Sequence, residues 1–436
     1  MEAEVYRERR RRVMAEMGEG VMVLFSAPVL TRNNDVHQPY RQHSDFYYLT
    51  GFDEPESALV LQAGERPKVT LFLRPRDPAR EQWDGARLGA DAAKEVLLVD
   101  AGAPIEELPS QLGELFVGQR RVFHRFGEEE QQDSLVLQAV AKARSQTRKK
   151  GESPSEFFDH TDIVHEMRRV KGAEEIEAMR GALKPTADAH IAAMKTAKPG
   201  RFEYEVEAEM TRVFRAAGSE RVAYQSIVGS GANATVLHYI KNDQRMESGQ
   251  LLLIDAGAEL GYYASDITRT FPIAGKFSPP QKKIYELVLR AQLAAIEAVR
   301  PGASFEEVHQ AAARVICAGL MELGWVDGPL ERAVKDKRYR KYFMHGTGHY
   351  LGMDVHDVGK YYNGDDARVF EPGVVLTVEP GIYIASDDES VPEEYRGIGV
   401  RIEDDILVTL DGAENLSQAI PKTVAEVEAL TAQAAE

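Results

Sequence analysis

Two pairs of strand-end acids and a knot of histidines are the residues best suited to chemistry. An apolar run, Leu251-Leu252-Leu253-Ile254, leads straight into Asp255. The chain then turns through a Gly-containing segment and returns as Ser265-Asp266-Ile267-Thr268-Arg269-Thr270. A hairpin of this kind sets Asp255 and Asp266 side by side on one face. Two close carboxylates repel, burial raises the cost of each charge, and a cation between them resolves the conflict. An isolated pair of aspartates is more often a turn residue and a cap, so repetition of the pattern matters. Val374-Val375-Leu376-Thr377-Val378 ends on Glu379, and Gly397-Ile398-Gly399-Val400 runs into Arg401-Ile402-Glu403-Asp404-Asp405. On one continuous strand Arg401, Glu403 and Asp405 share a face and Ile402 takes the other.

Between the acid pairs lies Phe343-Met344-His345-Gly346-Thr347-Gly348-His349, followed by Val355-His356-Asp357, so three of the 11 histidines fall in one stretch. A lone histidine is usually a hydrogen-bonded packing residue; three together beside four acids point to ligand and acid–base work near pH 7. The glycines permit the tight turns that let imidazoles converge. Four carboxylates with an imidazole and no thiolate suit a pair of Mn²⁺, Zn²⁺, Co²⁺ or Fe²⁺ ions rather than a structural zinc. Such pairs sit ~3.5–4 Å apart and clamp an attacking oxygen, which is hydrolytic chemistry.

The elements that must position these groups differ between the two halves of the chain. A basic helix is expected over 6–17. Short apolar runs at 20–27, 45–52, 58–62, 69–73, 96–99 and 121–126 follow as strands, with helical or turn-rich pieces such as 105–115 between them. The spacing of Leu135, Leu137, Val140 and Ala143 predicts a helix over 132–149, and the Lys, Gly, Glu, Ser and Pro of 149–154 mark a candidate boundary. The later half predicts helices over 173–195, 203–217, 280–300 and 305–323, stopped by Pro199-Gly200 and Pro301-Gly302, with strands at 251–254, 374–378 and 400–408. An α/β domain over 1–170 and an α+β domain over 171–436 result.

With 53 basic and 70 acidic residues the formal charge is −17, which disfavours a nucleic-acid partner. No stretch approaches the ~20 apolar residues of a membrane span, and the Arg- and Glu-rich start lacks the apolar core of a secretory signal. Cys317, the sole cysteine, excludes an intramolecular disulfide and falls in an apolar run that suits packing. A cytoplasmic protein is expected.

The segments Ile254-Asp255-Ala256-Gly257, Ser265-Asp266-Ile267-Thr268-Arg269-Thr270, Met344-His345-Gly346 with His349, Val378-Glu379-Pro380-Gly381 and Arg401-Ile402-Glu403-Asp404 resemble the signatures of the pita-bread metallopeptidases. Within them the likeness is to the aminopeptidase P (Xaa-Pro aminopeptidase) family. It extends to Tyr40-Arg41-Gln42-His43-Ser44-Asp45-Phe46-Tyr47-Tyr48-Leu49-Thr50-Gly51-Phe52 and so covers nearly the whole chain. The resemblance implies an α/β N-terminal domain and a pita-bread catalytic domain. Asp255, Asp266, His349, Glu379 and Glu403 would hold two divalent ions, Mn²⁺ first and Zn²⁺ or Co²⁺ as alternatives, with Asp266 and Glu403 bridging. His238 and His356 would lie near the scissile bond, His345 and Arg401 at the proline pocket, and Tyr224 and Tyr383 elsewhere in the active site. Asp35 and Trp83 would complete the substrate site, Trp83 from a neighbouring subunit. Without the resemblance His238 reads as structural.

The implied reaction releases the N-terminal residue from a peptide with proline second, by attack of a metal-bridging hydroxide. His356 or His238 would steady the oxyanion, and Glu379 would carry a proton to the leaving proline nitrogen. The stretch 360–370 departs from the bacterial pattern. It is one residue longer and carries acid where an arginine is expected, leaving Arg368. A homodimer or homotetramer is implied. The competing readings are a prolidase restricted to Xaa-Pro dipeptides and a non-catalytic peptide-binding protein on the same fold; the full set of ligating residues argues against the latter.

Overall fold

A computed structural model describes residues 1–273 and 275–434, so the last two positions of the expected 171–436 domain lie outside the described residues. The chain forms two compact units, Met1–Arg168 and Arg169–Glu436.

In the first unit six strands make one sheet, in the order Ala101–Pro104, Lys68–Leu73, Ala58–Ala63, Gly20–Phe25, Arg121–Phe123 and Glu156–Phe158. Ala58–Ala63 is antiparallel to both of its neighbours, and the other three pairs are parallel. Val21, Val23, Val60 and Phe72 are fully buried in one cluster with Leu112, Phe116, and Val136 and Val140 of the Glu130–Ser145 helix. Continuous Val/Leu/Phe runs, rather than alternating ones, are what a covered sheet requires. The 149–154 segment is no boundary, because Glu156–Phe158 beyond it adds the edge strand of this sheet.

Two expected strands are not strands. The stretch 45–52 is the helix Ser44–Thr50, closed by Gly51 at φ +63°. Its Phe and Tyr content favours a strand, but Phe46, Tyr48 and Leu49 bury one helical face, Arg9 stacks over Tyr48, and Asp45 is held by Arg168 at 2.7 Å and His165 at 3.0 Å. Tertiary packing overrides β propensity there. The stretch 96–99 ends the helix Ala90–Val96, and the strand forms further on at Ala101–Pro104.

In the second unit the helices Ala173–Thr196, Glu203–Ala216, Pro279–Ala298 and Phe305–Glu322 are present. Ser278 and Gln281 form a reciprocal cap at one start, and the Ser304 hydroxyl accepts the Glu307 N–H at another. Ile284, Val288, Ile316 and the buried Cys317 pack on Leu252, Ile254, Phe271, Leu376, Val378 and Ile406 in one core. Leu253 faces away into a smaller cluster with Ile227, Ala234 and Tyr383, and the pleat puts Asp255 on that side too.

The expected hairpin exists: Leu251–Asp255 pairs antiparallel with Thr268–Pro272, Asp255 opposite Thr268, and with Ile227–Ser230 on its other edge. Asp266 sits just before the returning strand. The second acid-bearing region differs from expectation. The predicted 400–408 strand is two, Gly399–Arg401 paired with Gly381–Tyr383 and Asp404–Val408 paired with Val375–Val378. Pro380 has no N–H to continue the ladder, so pairing breaks at Glu379-Pro380 and, opposite them, at Ile402-Glu403. Arg401, Glu403 and Asp405 nevertheless all reach the 266–268 segment. Arg401 Nε donates to Thr268 Oγ1 at 3.1 Å, Thr268 Oγ1 donates to Glu403 at 2.7 Å, and the Asp266 N–H donates to Asp405 at 3.2 Å.

Candidate metal and peptide site

The histidine-bearing loop is laid against a strand by backbone bonds. The Glu379 N–H donates to Thr347 O at 2.8 Å, Thr377 N–H to His349 O at 2.9 Å and Leu351 N–H to Val375 O at 3.0 Å. The approach is so close that a Cβ on Gly348 would lie 1.9 Å from the Thr377 carbonyl oxygen. That contact requires glycine and brings His349 over the acids. His349 Nδ1 lies 2.9 Å from Tyr350 O, which fixes Nδ1 as the protonated nitrogen and turns Nε2 inward.

Nε2 lies 3.3 Å from Asp266 Oδ2 and 4.0 Å from Glu379 Oε1. Asp266, His349 and Glu403 each offer a ligand atom within 4.8 Å of the others. The Tyr224 hydroxyl lies 2.5 Å from both Asp255 Oδ1 and Asp266 Oδ1, and Arg401 donates to Asp255 Oδ2 at 2.7 Å.

Burial pushes Glu379 up to about 7 against the pull of His349 and Arg401, and burial with the neighbouring acids pushes Glu403 well above the carboxylate range. It raises Asp255 as well, against the pull of Arg401. Asp266 is held low: burial opposes its charge, but the His349 and Tyr224 hydrogen bonds prevail. Against burial, the Asp266 carboxylate, helped by Glu379 and the Tyr350 carbonyl, raises His349 to about 9. Protons are thus drawn into a cluster whose carboxylates outnumber its fixed cations, which is the condition divalent ions relieve. The donor set, oxygen-rich with one imidazole, fits a pair of them.

These groups open on a cavity of about 520 Å³ lined by Asp255, Asp266, His349, Glu379 and Glu403 together with His238, His345, His356, Arg401 and Tyr224. Ile227, Leu237, Ile240 and Val355 add apolar wall. Tyr383 stands behind it, its hydroxyl 2.8 Å from His345 Nε2 and accepting from Arg401 at 3.0 Å. His345 is kept neutral, lowered to about 4 by burial and by Arg401. Burial and the neighbouring His349 ring, 4.3 Å away between centroids, lower His356. Asp35, in an exposed turn, and Trp83, 87% exposed on the Pro78–Asp84 helix, belong to the first unit. The 360–370 stretch forms a small hairpin, Tyr362–Asn363 with Asp366–Ala367, while Tyr361 packs on Phe305 and Tyr350.

Sequence reasoning missed Thr268, Thr347 and Thr377, which hold Glu403, Glu379 and His349 through hydroxyls or backbone groups. All three lie inside segments quoted above, but their contacts are set by tertiary pairing and leave no spacing signal.

Residues 177–410 match Metallopeptidase family M24, and residues 6–123 match the aminopeptidase P N-terminal domain. A Xaa-Pro aminopeptidase of Escherichia coli (strain K12) is 45% identical over 428 residues, 98% of this chain and 97% of the relative. The structure of Pseudomonas aeruginosa aminopeptidase PepP superposes with a TM-score of 0.97 at 46% identity, covering 100% of this chain and 99% of that one. Zinc-substituted Escherichia coli aminopeptidase P in complex with product gives a TM-score of 0.96 at 44% identity, with 100% and 99% coverage.

Proposed function

The chain belongs to metallopeptidase family M24, and from that premise we propose that it removes the first residue from peptides with proline second, working in the second-unit cavity. The observation that carries this reading is the gathering of Asp255, Asp266, His349, Glu379 and Glu403 beside three further histidines in one cavity. Two divalent ions held by those five residues would supply Lewis acidity and a water activated at neutral pH. Mn²⁺ is our first assignment, because the donors are mostly carboxylate oxygens.

The chain's own groups take the remaining roles. His349, its tautomer set by Tyr350 O, presents Nε2 to the centre, and Tyr224 aligns Asp255 with Asp266. Burial keeps the Tyr224 hydroxyl protonated, so it serves as a donor. Glu379, lining the cavity beside His349 and Asp266, is our assignment for the group that carries a proton to the proline nitrogen as the C–N bond breaks. His238 or His356 donates to the carbonyl oxygen of the first residue. The proline nitrogen, part of a tertiary amide, has no N–H to recognise, so shape must select it. His345, locked to Tyr383, and Arg401 give that pocket a fixed wall. Asp35 would receive the substrate amine and Trp83 would act from a second copy in a homodimer or homotetramer. Among the described residues no helix is long and apolar enough to cross a membrane, and a cytoplasmic location is our assignment.

Cleavage of an Xaa-Pro-Yaa tripeptide against an Xaa-Pro dipeptide tests this function. Preference for the tripeptide supports it; strong preference for the dipeptide would make the protein a prolidase.

A further inference from the structure

His238 poses a problem that the rest of the site does not. It lies in a segment without helix or strand, its ring is exposed, and among the described residues it makes no hydrogen bond. An imidazole that must meet a substrate carbonyl at hydrogen-bond distance needs its backbone fixed by something else.

Glu203 supplies the fixing. It is the first residue of the Glu203–Ala216 helix and is fully buried. Five donors converge on its carboxylate. Oε1 accepts the Ser230 N–H at 2.6 Å, the Ser230 hydroxyl at 2.7 Å and the Asn233 amide at 3.2 Å. Oε2 accepts the Tyr239 hydroxyl at 2.8 Å and the Gln244 N–H at 2.9 Å. Ser230 ends the Ile227–Ser230 strand, which pairs with the Asp255 strand. Gln244 lies beyond His238, and Tyr239 is its immediate neighbour. One buried carboxylate therefore ties both ends of the His238 segment and the adjoining residue to the sheet that carries Asp255.

Charge-assisted bonds in a dry environment are the strongest available for such a task. A buried glutamate with five donors is far more than capping the helix requires; a cap is complete with one or two. Nothing about Glu203 in the sequence distinguishes it from a first-turn acid.

We propose that Glu203 is a positioning residue for the reaction, acting through Tyr239 to hold His238 against the scissile carbonyl. This rests on the reading of His238 as the carbonyl donor. Tyr239→Phe removes the Glu203 bond beside His238, together with the two longer 3.4 Å contacts of the same hydroxyl with Asp243, and leaves the ring that packs there. The expected result is a kcat lowered roughly tenfold with KM changed less than about twofold. In a His238→Ala background the same substitution should change kcat less than about twofold, because the residue it positions is gone. Glu203→Gln should behave likewise with a larger loss, together with a lower Tm.

Equal proportional losses from Tyr239→Phe in both backgrounds would overturn the inference while leaving His238 its role, since a merely structural contact acts additively. A His238→Ala enzyme with wild-type kcat would overturn the reading of His238 and this inference with it. A Tyr239→Phe enzyme with unchanged kcat would overturn the inference alone.

Discussion

Replacing Gly348 by alanine is the sharpest single perturbation of the site. Its Cβ would stand 1.9 Å from the Thr377 carbonyl oxygen, where real contacts essentially never fall below 3.0 Å, so the backbones must separate by at least 3.0 − 1.9 = 1.1 Å. Neither side is free to give. Thr377 belongs to the buried Val375–Val378 strand, and the loop is bonded to it at Thr347, His349 and Leu351. The displacement therefore passes to His349 and Glu379, which flank the contact. A misplacement of about 1 Å in a catalytic array costs on the order of 10²-fold in rate, and overpacking of this kind costs about 1–3 kcal/mol of stability. The assay is kcat/KM on a tripeptide across a Mn²⁺ titration, with Tm measured in parallel. Gly346→Ala is the control, because a Cβ there meets nothing within 4 Å. It should keep wild-type Tm and metal affinity, any effect being on KM. A folded Gly348→Ala protein with wild-type kcat/KM and metal affinity would refute the argument that this glycine sets the loop-to-strand distance.

Glu379→Gln should fold normally and lose turnover by about 10²-fold or more, and full activity at saturating metal would remove the proton-transfer role. Glu379 has its folded-state value raised from 4.5 to about 7 without metal, so stability falls as pH rises through that window. Metal binding replaces the proton, and the Tm gain on adding Mn²⁺ should be larger at about pH 7.5 than at about pH 5; equal gains would contradict the protonated cluster. Arg269 spends all five donors in the core, on Asp404 at 2.7 Å and on the carbonyls of Thr268, Glu403, Ile420 and Pro421. Arg269→Met leaves Asp404 to Lys422 and neutral donors, and should lower unfolding stability by about 3–5 kcal/mol in urea titrations.

The carboxylate–histidine cluster was legible because strand-end acids repeat and the histidines crowd between glycines. Both are local signals that survive in one dimension. The helix Ser44–Thr50 was not, since its aromatic content reads as strand until Arg9, Arg168 and His165 are seen to close around it. The break at Ile402-Glu403 follows from Pro380 on the partner strand, which periodicity along one segment does not register. The misplaced boundary at 149–154 arose because turn chemistry marks a loop without saying which sheet the next strand joins. Tyr224 and His238 came only from family resemblance; the partners of Tyr224 lie 31 to 42 residues away, and the support of the irregular His238 segment sits on the Glu203–Ala216 helix.

The most direct test of the cluster is the metal content and activity of Asp266→Ala beside the wild-type protein, both stripped with chelator and reloaded with Mn²⁺. Two ions per wild-type chain with restored tripeptide cleavage, and loss of both ions and cleavage in the variant, is the predicted result. A variant that still binds two ions tightly and cleaves the peptide would contradict the placement of the reaction in this cluster.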